Sequence, residues 1–336
     1  MLDKDKIELI NNFFPKQLSD QFIFPIDKYI LFLEKLSINP MIFFKEWSDI
    51  NRQEIVNKYW DSSTNFDWKW CLAYPFFSIL EKHICHYSNP KIIGFSGLPG
   101  SGKSTLGVWI DNVAKEMGLD MKVISLDDFY LPGRDMDIAM SGNPWNVPRG
   151  FPGSHSIELL NNTLSTFLQE GVLNSPTFDK SLRGGKGDRS GWFKSKPKIL
   201  ILEGWFIGCE PISDLFEIDH LTEENITHSL SDDEKTYRRS IQVSLNKYSK
   251  VWSKLDKIWH LKSNHFNNII LWKGQQEKEM IKLKGSGLKG KDLINFIRMI
   301  QTCIPQKSLN YINSDTTIQI NKNRRIENLY TKTYFF

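Results

Sequence analysis

Residues 97–104 read Gly97-Leu98-Pro99-Gly100-Ser101-Gly102-Lys103-Ser104, followed by Thr105, in a G-x-x-x-x-G-K-S spacing. Glycines at these positions let the backbone curl so that several N–H groups point inward at a triphosphate. The helix N-terminus that follows adds partial positive charge behind them. Lys103 has the reach for β- and γ-phosphates, and the Ser104 hydroxyl is a hard oxygen ligand suited to Mg²⁺. A chance glycine turn is the plainer alternative, but an apolar run before the loop and a helical pattern after it supply the required context. The sequence thus predicts a nucleoside-triphosphate site.

Three further groups carry chemistry. Asp127, Asp128 and Tyr130 follow a second apolar run, where a phosphoryl-transfer enzyme needs a carboxylate to take or orient the acceptor's proton. Two aspartates capping a loop would be the ordinary alternative. Glu203 ends another apolar run, at the position of a second acid handling the metal with Ser104. The chain reads Glu203-Gly204-Trp205, without a second acid to activate water, which favours transfer to a small acceptor over work-coupled hydrolysis. Arg183, Lys186 and Arg189 alternate with glycines over 182–192 and have the character of a closing lid. A solvated basic loop is the more usual fate of such a run. Arg149 and His155 flank a glycine turn; an arginine fork suits a carboxylate, whereas a lone histidine is more often structural.

The elements that must position these groups alternate between strand and helix. The stretch 91–105 opens on a short apolar run of strand type, and Leu106, Ile110, Val113, Ala114 and Met117 recur at helical spacing after the loop. Strands are expected at Lys122–Leu126, Lys198–Leu202, Ile258–Leu261 and Thr317–Ile320, with an amphipathic helix over Ser156–Glu170. Helices are expected between Phe266 and Ile300, broken from Lys282 to Lys291. The proline- and glycine-rich stretch from Leu131 to Gly153 is too broken for a helix or central strand. This alternation is the plan of a doubly wound α/β domain with a mainly parallel sheet and its site at strand C-termini. Residues 1–90 read as a helical region packed on a catalytic domain of residues 91–336. Their aromatics, among them Tyr29, Phe43, Trp47, Trp70 and Phe76, are core material.

Composition narrows the partners. A net charge of +4 in 336 residues makes no case for nucleic acid, and the basic C-terminal third shows no binding module. Cys71, Cys85, Cys209 and Cys303 have neither metal-ligand nor disulfide spacing, which fits a reducing, cytoplasmic setting. The N-terminus lacks the apolar core of a signal peptide, and no run is apolar for long enough to cross a membrane.

Taken in order, the loop, Ser125-Leu126-Asp127-Asp128-Phe129-Tyr130, Asn143-Pro144-Trp145-Asn146 and Gly153-Ser154-His155 resemble a known group. So do Phe178-Asp179-Lys180-Ser181, Gly187-Asp188-Arg189 and Leu202-Glu203-Gly204-Trp205. The group is the phosphate-loop (P-loop) kinases that include uridine kinase, pantothenate kinase and phosphoribulokinase. Within it the chain is most similar to the D-glycerate 3-kinase family of plants and cyanobacteria. The resemblance extends weakly to Trp272-Lys273-Gly274-Gln275 and to Asn321–Arg325. It implies a P-loop kinase fold, Mg·ATP as phosphoryl donor, and D-glycerate as acceptor, a step of photorespiration in that family. It also implies a catalytic Asp127 and a metal-associated Glu203; with Lys103 acting beside Asp127 on the phosphates, the expectation is a monomeric kinase. The rivals are a kinase of the same fold acting on uridine or pantothenate, and an ATP-binding regulatory protein without turnover.

Overall fold

Burial on both faces selects the central strands. Strand β1 (Lys91–Gly97) and strand β5 (Ile199–Gly204) are apolar almost throughout and almost wholly buried, the pattern of strands covered by helices on each side. The computed structural model describes residues 22–86, 89–221, 229–310 and 312–332; the expectation for the extreme N-terminus lies outside them. A six-stranded sheet runs in the order β2-β5-β1-β6-β7-β8. Its members are β2 (Met121–Ser125), β6 (Lys257–Ser263), β7 (Thr316–Ile320) and β8 (Ile326–Thr331) beside the central pair. All pairings are parallel except β7 with β8. The chain leaves β1 for β2 on one side and later fills β6 on the other. The C-terminal end of β1 is therefore the switch point where open α/β sheets bind ligands.

Helices α1 (Ile26–Lys35), α2 (Pro40–Trp47), α3 (Ile50–Asn57) and α4 (Tyr74–His86) precede the sheet. A short helical turn (Phe66–Trp68) and a π turn (Lys69–Ala73) lead into α4. Helix α5 (Lys103–Glu116) follows the phosphate loop and packs on β2 and β5. The N-terminal helices share one core with the sheet. Trp60 stacks on Trp109 of α5 at 4.6 Å between ring centres, and Phe76 of α4 lies 5.5 Å from Phe95 of β1 and 4.7 Å from Trp259 of β6. Trp109 Nε1 also donates to the Val56 carbonyl at 3.0 Å.

Two elements differ from the sequence reading. Helix α6 (Gly133–Ala139) lies inside the stretch expected to hold no helix. Pro132 stands just ahead of it, where a ring with fixed φ starts a helix without interrupting one. The lid expected over 182–192 is part of an antiparallel hairpin of β3 (Leu173–Asp179) and β4 (Asp188–Ser195), so its tip is 180–187. Helix α7 (Ile157–Glu170) packs on β3. The remaining helices are α8 (Leu215–Asp219), α9 (Asp232–Trp252), α10 (Asn268–Lys284), α11 (Gly290–Thr302) and α12 (Gln306–Asn310). Among the described residues no helix is long and apolar enough to cross a membrane.

Candidate active site

The phosphate loop leaves β1 and turns directly into α5. Gly102 takes φ +111°, and the Trp68 indole lies 2.9 Å from where its Cβ would stand, so this position excludes a side chain twice over. Lys103 is buried at the helix start and donates to the Leu98 carbonyl at 3.0 Å. Burial pulls its pKa down, against the pull of the Glu203 and Asp127 carboxylates. Ser104 Oγ donates to Glu203 Oε1 at 3.0 Å, joining the loop to the end of β5.

Asp127 and Asp128 sit on the 3₁₀ turn Leu126–Phe129 after β2, and they have different surroundings. Asp128 is the structural one. It accepts from Ser125 N at 3.0 Å in a capping box, and from Phe178 N at 3.3 Å. Burial, with the negative charges of Asp127 and Glu203, pushes its carboxyl up to about 6 despite those two bonds. Asp127 faces the cleft, with Lys180 Nζ at 2.6 Å from its Oδ2. Burial opposes its ionisation, but the Lys180 ammonium outweighs burial and holds it well below the usual carboxylate range. The pair keeps access to solvent, the side chains being 41% and 27% exposed, so it is a charge arrangement more than a stabilising bridge.

Tyr130 and His155 are buried and pack face to face at 4.5 Å. His155 Nδ1 lies 2.8 Å from the Tyr248 hydroxyl, and burial pushes its pKa down to about 4, which leaves a neutral ring. Arg149 is buried beside the cleft and donates from Nη1 to the Gly185 and Lys186 carbonyls at 2.8 and 2.5 Å. The lid cations are held at the hairpin's flank. Arg183 donates to the Gly133 carbonyl at 2.9 Å and pairs with Asp137; Lys186 Nζ is 3.9 Å from Asp137; Arg189 donates to Ser156 Oγ at 2.7 Å.

Groups that the residue-by-residue reading did not single out complete the cleft, whose volume is about 1500 Å³. Lys180 is one. Lys273 is another: it is buried on α10, 2.5 Å from Glu277 one turn later, and 4.6 Å from the centre of the Phe296 ring. Arg324, in the turn between β7 and β8, donates from Nε to the Gly100 carbonyl at 2.9 Å. All three lie in stretches quoted for their resemblance to the kinases, but the partners of Lys180 and Arg324 are far away in the chain. Lys273 and Glu277 alone carried a local signal, the i,i+4 spacing of an ion pair. Among the described residues no three His, Cys, Asp or Glu side chains form a metal cluster. The oxygen pair of Ser104 and Glu203 fits Mg²⁺, which keeps several waters and takes its other ligands from phosphates.

No protein-family model matches the chain. The chain is 32% identical over 232 residues to the uncharacterized kinase mug58 of Schizosaccharomyces pombe, covering 65% of this chain and 81% of that protein. It is 29% identical over 269 residues to the probable ATP-dependent kinase TDA10 of Saccharomyces cerevisiae, covering 72% and 89%. It is 35% identical over 135 residues to the chloroplastic D-glycerate 3-kinase of Arabidopsis thaliana, covering 37% of this chain and 30% of that one. Among solved structures, the YGR205w protein superposes with a TM-score of 0.61 at 27% identity, over 78% of this chain and 99% of that one.

Proposed function

The chain belongs to the kinase family of mug58, and on that premise we propose that it transfers the γ-phosphoryl group of ATP to the 3-hydroxyl of D-glycerate. Phosphoryl transfer from ATP to an alcohol follows from its kinase relatives. The observation that carries the acceptor is the cation set around Asp127. Lys180 touches it, and Arg149 and Lys273 line the same cleft. The nearby rings of Tyr130 and His155 are stacked on each other, with Phe178 edge-on to Tyr130, and do not form an open slot for a nucleoside. A small anion suits these surroundings, and the stretch shared with the Arabidopsis D-glycerate 3-kinase supports that choice.

In this reading the loop N–H groups and Lys103 hold the triphosphate, and Arg149 receives the glycerate carboxylate through its unused N–H donors. Asp127 is ionised at neutral pH, orients the 3-hydroxyl and accepts its proton as the oxygen bonds to phosphorus. Lys180 lies against that carboxylate and stabilises the charge passing between hydroxyl and phosphoryl group. Asp128, bonded to backbone, and neutral His155, bonded to Tyr248, position the turn and its neighbours without meeting substrate. Ser104 and Glu203 would hold Mg²⁺, which supplies neutralisation of the β- and γ-phosphate oxygens when bound. Arg183, Lys186 and Arg189 keep the lid tip in place over the acceptor.

The test is ADP release with Mg·ATP against D-glycerate, L-glycerate, uridine, pantothenate and no acceptor. Turnover with D-glycerate alone, yielding 3-phosphoglycerate, is the expected result; turnover with another acceptor removes the glycerate assignment. Asp127→Ala should keep ATP affinity while kcat falls by about 10²–10⁴-fold. Unchanged kcat in that variant would take the proton-accepting role away from Asp127.

A further inference from the structure

The N-terminal helices have no part in the mechanism above, yet they reach the phosphate loop. The Trp68 indole covers Gly102 at the opening of α5. The turn before it, from Trp60 to Asn65, lines the same cleft as Lys103 and Ser104. The turn is ordered by its own bonds: Asp61 Oδ1 accepts from Ser63 N at 2.8 Å and Ser63 Oγ at 2.5 Å, and Thr64 N donates to the Asp61 carbonyl at 2.9 Å. Trp60 anchors it on Trp109 of α5. Asn65 stands ahead of the Phe66–Trp68 turn, where asparagine ordinarily caps a helix, but its amide makes no capping bond. From the far side of the loop, Arg324 also lines the cleft. Its Nε is held by the Gly100 carbonyl and its Nη1 by Gln275 Oε1 at 3.0 Å, with the guanidinium 5.7 Å from the centre of the Trp272 ring.

Topology gives the direction of the donor. Asp127 follows β2 and Glu203 ends β5, both on one side of β1, so the transferred phosphoryl group faces that side. That arrangement directs the nucleoside toward β6 and β7. That side holds Arg324, while the Trp60–Trp68 segment covers the opening of α5 through Trp68 at Gly102 and Trp60 on Trp109.

We propose that the segment Trp60–Trp68, with Arg324 opposite, forms the nucleoside subsite of the phosphoryl donor, and that the Asn65 amide reads the edge of adenine. The proposal rests on the kinase reading and gives the N-terminal helices a direct part in donor recognition. An amide offers one donor and one acceptor side by side, which matches the amino group and ring nitrogen of adenine. Guanine carries a carbonyl where adenine carries the amino group. Arg324 adds a planar cation of the kind that stacks on a purine face.

The experiment is equilibrium binding of ATP, GTP and inorganic tripolyphosphate to the full chain and to Asn65→Ala, a partly exposed position. Trp68→Ala serves as a second variant, and folding is checked by circular dichroism. Asn65→Ala should weaken ATP about tenfold, leave tripolyphosphate unchanged and shrink the preference for ATP over GTP. Its KM for ATP should rise while its KM for the acceptor stays put. Trp68→Ala should weaken ATP more than tripolyphosphate. Equal losses for ATP and tripolyphosphate would mean that the segment only props up the loop, and would overturn the proposal. An Asn65→Ala protein that binds ATP and GTP as the unaltered chain does would also overturn it. Failure of the unaltered chain to bind any of the three is a different result, one that removes the kinase reading itself.

Discussion

Asp127 is kept ionised by a partner fifty-three residues away, so its chemistry depends on Lys180 as much as on itself. Replacing Lys180 by methionine removes the ammonium and leaves the burial that opposes ionisation. The acid limb of the kcat/KM profile is expected below the ordinary carboxylate range in the unaltered protein and should move up to about pH 4 or higher in the variant. A limb that stays in place would show that Lys180 does not set the ionisation of the base. Asp128 gives the opposite sign. Its folded-state carboxyl is pushed up to about 6, so the folded protein holds that proton more tightly than the unfolded chain does. Its contribution to stability is therefore present below the ordinary carboxylate value and is lost as pH rises through about 6. Urea midpoints between pH 4 and 7 should fall less steeply in Asp128→Asn than in the unaltered chain. Both aspartates, the loop and Glu203 were legible in the sequence because each follows an apolar run within a few residues. Lys180 was not picked out as functional, because its pairing with Asp127 is one that the chain order does not display; Lys273 and Glu277 have i,i+4 spacing, which marks an ion pair but not a site.

The hairpin of β3 and β4 shows the same limit for whole elements. Buried strands announce themselves as apolar runs, as β1 and β5 do, whereas β3 carries Asn174, Ser175 and Pro176 and β4 alternates half-buried with exposed residues. Proline is tolerated in β3 because a two-stranded sheet is all edge. At its tip, Gly187 takes φ +80° with Phe178 ring atoms 2.3 Å from where a Cβ would stand, so the turn closes only on glycine. The tip is tied to α6 by Arg183 with Asp137, and by Asp188 Oδ1 accepting from Gly133 N at 2.9 Å. Asp137→Ala should leave global stability nearly unchanged, since the pair is partly exposed. It should speed tryptic cleavage after Arg183 and Lys186, because a freed tip opens more often. Cleavage at the original rate would show that the tip is held by its other bonds.

The molecule as a whole places its N-terminal helices in one core with the nucleotide-binding sheet. The sequence reading set the helices against the catalytic domain, but it was silent on which rings they meet, because an aromatic stripe looks alike whatever it packs on. Phe76 is the test position: it lies between Phe95 and Trp259 and is fully buried. Phe76→Ala should cost about 3–5 kcal/mol, read from urea unfolding followed by tryptophan fluorescence and circular dichroism together. The two probes should move as one transition; separate transitions would make the helices an independent unit. The grip of Arg324 on the Gly100 carbonyl has a consequence in time as well as in space. A ribosome releases the phosphate loop long before β6, Trp272 and the β7–β8 turn, and a sheet of parallel, non-local pairings forms slowly. The loop therefore spends most of translation without the residue that pins it. The Gly100 carbonyl gains its Arg324 partner only when the C-terminal strands have docked on the sheet.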